Sequence, residues 1–276
     1  KGAEVHAIVR SESNVDKIRH LEKLGAKVFI VDMLNTEAVA RVCEGASCVV
    51  SALAGLRDVV VDAQKVLLDG AVAAKVPRFI PSDYSIDFTD FPAGGNRNLD
   101  LRREFHEYLD KQPIKATTIF IGAFAELLTS DMPLILLPLK RILYWGNADV
   151  RMDFTTISNT AEFTANAALD PSTPRYLRVA GDRLSAREMS VVVGEVTRQK
   201  FGLFRAGGLG RLSTIIKIAR TIAPGTKELY PAWQGMQYMR NMMDGRAISE
   251  TNNDRYPGMH WTTVRDFISA HQPVTA

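Results

Sequence analysis

VHAIVRSESNVDKIRHLEKLGAKVFIVD (residues 5–32) holds two short apolar runs with a helical stretch between them. In the first run Val5, Ala7 and Val9 alternate with His6 and Ile8, and Gly2 stands just ahead of it as a turn residue would. In the middle, Val15, Ile18 and Leu21 recur three apart, Leu24 extends the row, and Gly25 supplies a helix stop. The second run, KVFIVD, is apolar again. A strand, a helix and a strand in so short a space imply parallel pairing through a right-handed crossover.

The same alternation continues outward. CVVSAL (48–53) and RFIPS (78–82) read as further strands, with one helix capped by Asn35 and a longer one from about Arg57 to Ala74. KATTIFIG (115–122) and PRYLRVAG (174–181) extend the pattern, separated by a Pro-rich segment at 131–150 and a helix from near Ser158. From about Leu184 the chain turns helical, with LSAREMSVVVGEVTRQKFG (184–202), a Gly-rich hinge RAGGLG (205–210), helices through Met243 and one near the C-terminus. The expected fold is α/β, a doubly wound, mostly parallel sheet with a smaller, mainly helical region beside it. No G-x-G-x-x-G turn is present, and GGLG (207–210) follows no expected strand, so it reads as a loop between helices.

Composition narrows the partners. With 276 residues and 46% hydrophobic content the chain can bury a large core. Thirty-four basic against 31 acidic residues leave a net charge of +3, too balanced for a nucleic-acid or membrane surface by bulk electrostatics. A small-molecule partner is expected. Cys43 and Cys48 form no CxxC pair and read as buried thiols, with no metal site. The longest apolar stretch, LTSDMPLILLPLKRILYW (128–145), is interrupted by Asp131, Pro133, Pro138, Lys140 and Arg141 and is not read as a membrane span. No secretory signal is visible, which makes a cytoplasmic location the default expectation.

HAIVR (6–10), VDMLNTEAV (31–39), SALAG (51–55), RFIPSDYS (78–85), NRNLDLRREFHEYLD (96–110), IGAF (121–124) and LRVAGDRLSAREMSVVVGEVT (177–197) share an order and spacing. In these the chain resembles the NmrA-like atypical short-chain dehydrogenases, a group that includes the isoflavone reductase-like enzymes. The likeness is strongest over 1–124 and 176–200 and weakest from about 203 to 260. It implies a Rossmann-type NAD(P)-binding domain over residues 1–150 and a mainly helical substrate region with late strands over 151–276. Family members carry a glycine-rich turn upstream of the strand with which this chain opens. The resemblance therefore implies entry at the second strand, without the first strand and pyrophosphate loop, and a dinucleotide affinity reduced accordingly.

Candidate residues follow from strand ends and from this resemblance. Arg10 ends the first strand, where an acidic side chain would accept from the ribose 2′-hydroxyl of NAD; an arginine suits the 2′-phosphate of NADP instead. Ser11 could add a hydroxyl contact. The alternative for Arg10 is a solvated loop residue. Asp32 and Met33 fall where family members flank the adenine, with helix capping as the other reading for Asp32. Ser51 and Ala52 fall near the cofactor ribose, or are plain strand-end residues. PSDYSIDF (81–88) gathers Ser82, Asp83, Tyr84 and Asp87 at a strand end, with Ser82 on the cofactor side and Asp83 and Tyr84 on the side of the chemistry.

The wider superfamily pairs a tyrosine with a lysine four residues on, but Tyr84 is followed by Phe88 at that spacing, and Tyr108 has Lys111 three residues on. The isoflavone reductase-like enzymes use a lysine on the next helix instead, and that position falls at Arg102. A guanidinium can stabilise an oxyanion but cannot abstract a proton. On that helix Leu101, Phe105 and Tyr108 form the expected core face, and Asn98, Arg102 and His106 line its edge. His106 could shuttle a proton or be structural, and Arg102 could equally lie on a solvated, salt-bridged face. Gly122 and Phe124 fall where the family packs the nicotinamide, with core packing as the alternative for Phe124. Two functions follow: an NADPH-dependent reductase of a small aromatic or conjugated carbonyl-type substrate, or an NADP-binding sensor without turnover that would take a protein partner. A scaffold that binds no nucleotide is a third.

Overall fold

The computed structural model describes residues 2–10, 12–129 and 134–271. It divides into two compact units built from separated segments: the described residues of Lys1–Asp83, Leu101–Thr118 and Ala165–Tyr176 form one, and those of Tyr84–Asp100, Ile119–Thr164 and Leu177–Ala276 the other.

The first unit opens with β1 (His6–Val9), α1 (Val15–Lys23) and β2 (Lys27–Ile30), where β1 and β2 pair in parallel from His6↔Lys27 to Val9↔Ile30. The Asn14 side chain accepts from the Asp16 and Lys17 amides and caps α1, while Gly25 at φ +87° takes the left-handed position past the helix end. The row Val15, Ile18 and Leu21 is only partly covered, and no residue of α1 is buried. Next come α2 (Thr36–Cys43), β3 (Val49–Val50), a π-helical turn at Asp58–Ala63, α3 (Gln64–Ala73) and β4 (Arg78–Ile80). Asn35 caps α2 through a 3.0 Å bond from the Ala38 amide, as its position foretold.

Helix α4 (Arg97–Leu109) begins in the second unit and ends in the first, leading to β5 (Lys115–Ala116). Strands β3, β4 and β5 are parallel, with Val49↔Phe79 and Arg78↔Lys115 in register. Their core packs Val39, Leu67, Leu68, Phe79, Phe105 and Leu109. Gly70 lets α3 approach α2 closely, since a Cβ there would stand 2.6 Å from Val39 Cγ1. The buried face of α4 is Leu99, Phe105 and Leu109, whereas Leu101 and Tyr108 are half-buried. Phe105 lies in the core as expected, while Tyr108 stays half-buried because its hydroxyl donates to Asp69 at 2.7 Å.

Strands β6 (Thr118–Phe120) and β7 (Ala123–Phe124) bring the chain into the second unit. There follow β8 (Ile135–Leu136), β9 (Arg141–Trp145), β10 (Arg151–Thr155), α5 (Ile157–Leu169), β11 (Tyr176–Arg178), β12 (Asp182–Ser185) and α6 (Ala186–Thr197). The last elements are β13 (Gly202–Gly207), α7 (Leu209–Ile222), α8 (Ala232–Met242) and α9 (Val264–Ala270). β10 pairs parallel with β7 and antiparallel with β12, and β9 pairs antiparallel with β8 and parallel with β13. The core gathers Leu128, Ile142, Phe154, Met189, Met242 and Phe267.

Most strand pairs are parallel, as the alternating pattern implied. The Pro-rich segment, to which the sequence assigned no element, supplies β8 just before Pro138 and β9 just after it. One local reading is corrected. GGLG (207–210) is not a loop between helices: Gly207 ends β13 and Gly208 is the N-cap of α7.

Candidate functional site

In the first unit, parallel pairing brings the carboxyl ends of β1 and β2 together, and likewise those of β3 and β4. Arg10 is exposed just past β1 and holds no ion pair among the described residues; its carbonyl accepts from the Ser13 amide at 3.0 Å. Ser11 lies outside the described residues. Asp32 is exposed past β2, where its Oδ1 accepts from the Leu34 amide at 2.9 Å. That bond makes an Asx turn leading into the Asn35 cap, so Asp32 does not itself cap the helix. Met33 beside it is buried.

Ser51 is 1% exposed; its amide donates to Ile80 O at 2.8 Å, and its Oγ has no partner among the described residues. Ala52 is exposed. Ser82 is already engaged, with Oγ donating to Leu53 O at 2.7 Å and the amide donating to Gln64 Oε1 at 2.9 Å. Gln64, fully buried, donates its Nε2 to Val60 O at 2.9 Å, and the Ser82 amide bond to its Oε1 ties α3 to the turn after β4.

Asp83 is fully buried and anchors a polar network. Its Oδ2 lies 2.6 Å from His106 Nε2 and accepts from Thr118 Oγ1 at 3.0 Å. The Arg175 guanidinium reaches His106 Nδ1 at 3.2 Å and Thr118 Oγ1 at 2.8 Å, and it holds Asp110 Oδ1 at 2.9 Å. An arginine only donates, so His106 Nδ1 is the acceptor and the ring proton sits on Nε2, pointing at Asp83. With that tautomer His106 Nε2 donates to the buried Asp83 carboxylate. Arg102 is half-buried one turn earlier on α4, and the neighbouring Glu104 pairs with Arg57.

In the second unit, Tyr84 and Phe124 are half-buried. Gly122 has φ +71°, and a Cβ there would stand 2.4 Å from Asp153 O. Its smallness therefore serves the passage of β10's backbone. Asp87 binds Arg178 Nε at 2.6 Å and caps the turn at Thr89. Asp153 accepts from Arg183 Nε at 2.7 Å and from the Ile248 amide at 2.7 Å. Burial pushes its carboxyl up, against the downward pull of both donors.

Sequence reading missed Gln64, Asp110, Thr118 and Arg175. Gln64 left one signal, a lone amide inside the apolar run VVVDAQKVLL (59–68); the others are far apart in the chain. Neither cysteine is bonded, and only Cys43 is buried; Cys48 is half-buried, its thiol pushed up to about 11 by desolvation. Among the described residues no group of His, Cys, Asp and Glu could hold a metal ion, and no helix is long and apolar enough to cross a membrane.

The NmrA-like family matches residues 1–236 of the chain. A pinoresinol reductase of Arabidopsis thaliana is 24% identical over 187 residues, which cover 63% of this chain and 59% of that protein. A bifunctional pinoresinol-lariciresinol reductase of Thuja plicata is 23% identical over 219 residues, 72% of this chain and 69% of the relative. The chain thus spans somewhat over half to two thirds of these relatives. Among solved structures, AtPrR2 with NADP+ and (+)pinoresinol superposes with a TM-score of 0.79 at 19% identity, covering 98% of this chain and 91% of that one. An isoflavone reductase does so with 0.80 at 17% identity and the same coverage. These likenesses establish the fold.

Proposed function

The chain belongs to the NmrA-like family, and from that premise we propose that it is an NADPH-dependent reductase of a small aromatic or conjugated carbonyl-type substrate. The observation that carries this reading is the Ser51 hydroxyl, buried and without a partner among the described residues at the carboxyl end of a parallel strand. A buried hydroxyl is ordinarily satisfied, and an orphaned one at a ligand-binding strand end fits a ribose hydroxyl. The relatives named as reductases of pinoresinol point to the substrate class.

In this reading Arg10 takes the 2′-phosphate, Asp32 and Met33 flank the adenine, Ser51 and Ala52 meet the ribose, and Ser82 supports them through Leu53. Gly122 and Phe124 stand at the nicotinamide end. Residues 1–150 hold the cofactor and 151–276 shape the substrate space. Bound NADPH supplies the hydride. The Tyr84 hydroxyl, or a water held by Arg102, delivers the proton, and the Arg102 guanidinium steadies charge developing on the substrate oxygen. Asp83, oriented by His106, fixes the backbone next to Tyr84.

A second reading, an NADP-binding regulator without turnover, is favoured by two observations. Arg102 stands where the resemblance places a basic lysine, and Arg175 donates to His106 Nδ1, which leaves the ring proton directed at the buried Asp83.

The test is a fluorescence titration with NADPH and NADH, followed by NADPH consumption in the presence of pinoresinol and of an isoflavone. NADPH should bind at least about tenfold tighter than NADH, and Arg10→Ala should erase the difference. Binding without consumption favours the regulator. No saturable binding of either nucleotide overturns both readings.

A further inference from the structure

Residues 196–227 carry seven lysines and arginines and no aspartate or glutamate, in a chain whose net charge is only +3. The near balance of the whole chain hides this segment. None of the seven forms an ion pair among the described residues, whereas Arg151, Arg183, Arg187 and Arg265 of the same unit each hold a carboxylate. Helix α7 lies within the stretch and has two apolar rows. Leu212 and Ile216 are buried in the unit's core, but Ile218 is 53% and Ile222 78% exposed. Arg211, Ile218 and Ile222 recur at i, i+7 and i+11 and so share a face, with Thr214, Lys217 and Thr221 beside them, all exposed.

We propose that this face of α7 docks on an anionic lipid surface. Ile218 and Ile222 enter the boundary between headgroups and acyl chains, and Arg211 and Lys217 meet the headgroup phosphates while their aliphatic stems lie along the apolar layer. Charge complementarity selects the occupant: a surface of uniformly negative sign matches a helix face, and its flanking chain, without one acidic residue. The two exposed isoleucines separate lipid from nucleic acid, whose backbone offers them nothing to bury against. The inference is independent of the reductase reading.

The experiment is co-flotation of the whole chain with vesicles of phosphatidylcholine alone or with added phosphatidylserine. Flotation is expected only with phosphatidylserine, and raised salt should release the protein. Arg211→Glu with Lys217→Glu should weaken partitioning at least about tenfold, as should Ile218→Ser with Ile222→Ser. The pair Arg211→Lys and Lys217→Arg should keep it, and these exposed positions leave the melting temperature as a check that each variant is folded. Flotation indifferent to lipid charge, or unchanged in either double variant, overturns the proposal. So does tight binding to duplex DNA or heparin, unaltered by the isoleucine changes, without vesicle binding.

Discussion

Arg175 acts on Asp83 through a histidine ring. Its NH2 donates to His106 Nδ1, the ring proton then lies on Nε2, and that proton meets a carboxylate with no exposure to solvent. Removing the ring strips the buried carboxylate of a donor at 2.6 Å, so His106→Ala should cost about 3 kcal/mol. Arg175→Met removes a less buried group and should cost about 1–2 kcal/mol. Because the arginine works through the histidine, the two losses should overlap by about 1 kcal/mol in a double-mutant cycle read by urea unfolding. Additive losses would mean that Arg175 serves Asp110 and Thr118 alone. Asp83 and His106 were legible as polar residues at a strand end and a helix edge. Arg175 was not, since it lies 69 residues from His106 and nothing in a strand-like PRYLRVAG marks one arginine as inward-facing.

At the scale of elements, the end of α5 shows how a strand can close a helix. Arg78 of β4 is buried and donates to the carbonyls of Ala167 and Ala168 in the last turn of α5 and of Asp170 just beyond it, where the helix runs out of its own amide donors. A planar fork with several donors can serve three carbonyls at once, which a single ammonium cannot. Arg78→Lys should therefore destabilise the protein by about 2–3 kcal/mol and speed amide exchange at the end of α5; a loss below about 0.5 kcal/mol would show that water replaces the fork readily. Local signals were sufficient where an element is closed by its own neighbours: Asn35 caps α2 and Gly25 follows α1, both readable from spacing. They failed where closure comes from a distance, as at Arg78, and where two glycines stand at a junction. GGLG looked like a loop because FGLFRAG (201–207) lacks strict alternation, and only its pairing with β9 makes it a strand.

Across the whole molecule, the repeating strand and helix fixed an α/β fold with mostly parallel pairing, because that period is written in every local segment. The candidate site was legible only as a set of strand ends, since side chains that converge from separate segments leave no spacing to read. Burial is also uneven, and that has a measurable consequence. In β1 and β2 no residue is fully buried, and α1 buries none, whereas every residue of β4 and of β6 is. Segments with little buried apolar surface open at lower free energy than the core. Amides of residues 6–30 should therefore exchange with solvent at least about a hundredfold faster than those of residues 78–80 and 118–120, a gap of some 3 kcal/mol in opening free energy. If Arg10 grips a 2′-phosphate, saturating NADPH should slow exchange in 6–10 more than NADH does, because a ligand stabilises the segment that holds it. Uniform exchange across both sets would show that the β1–α1–β2 unit unfolds only with the rest of the chain, and an equal response to the two nucleotides would remove Arg10 from the cofactor's phosphate.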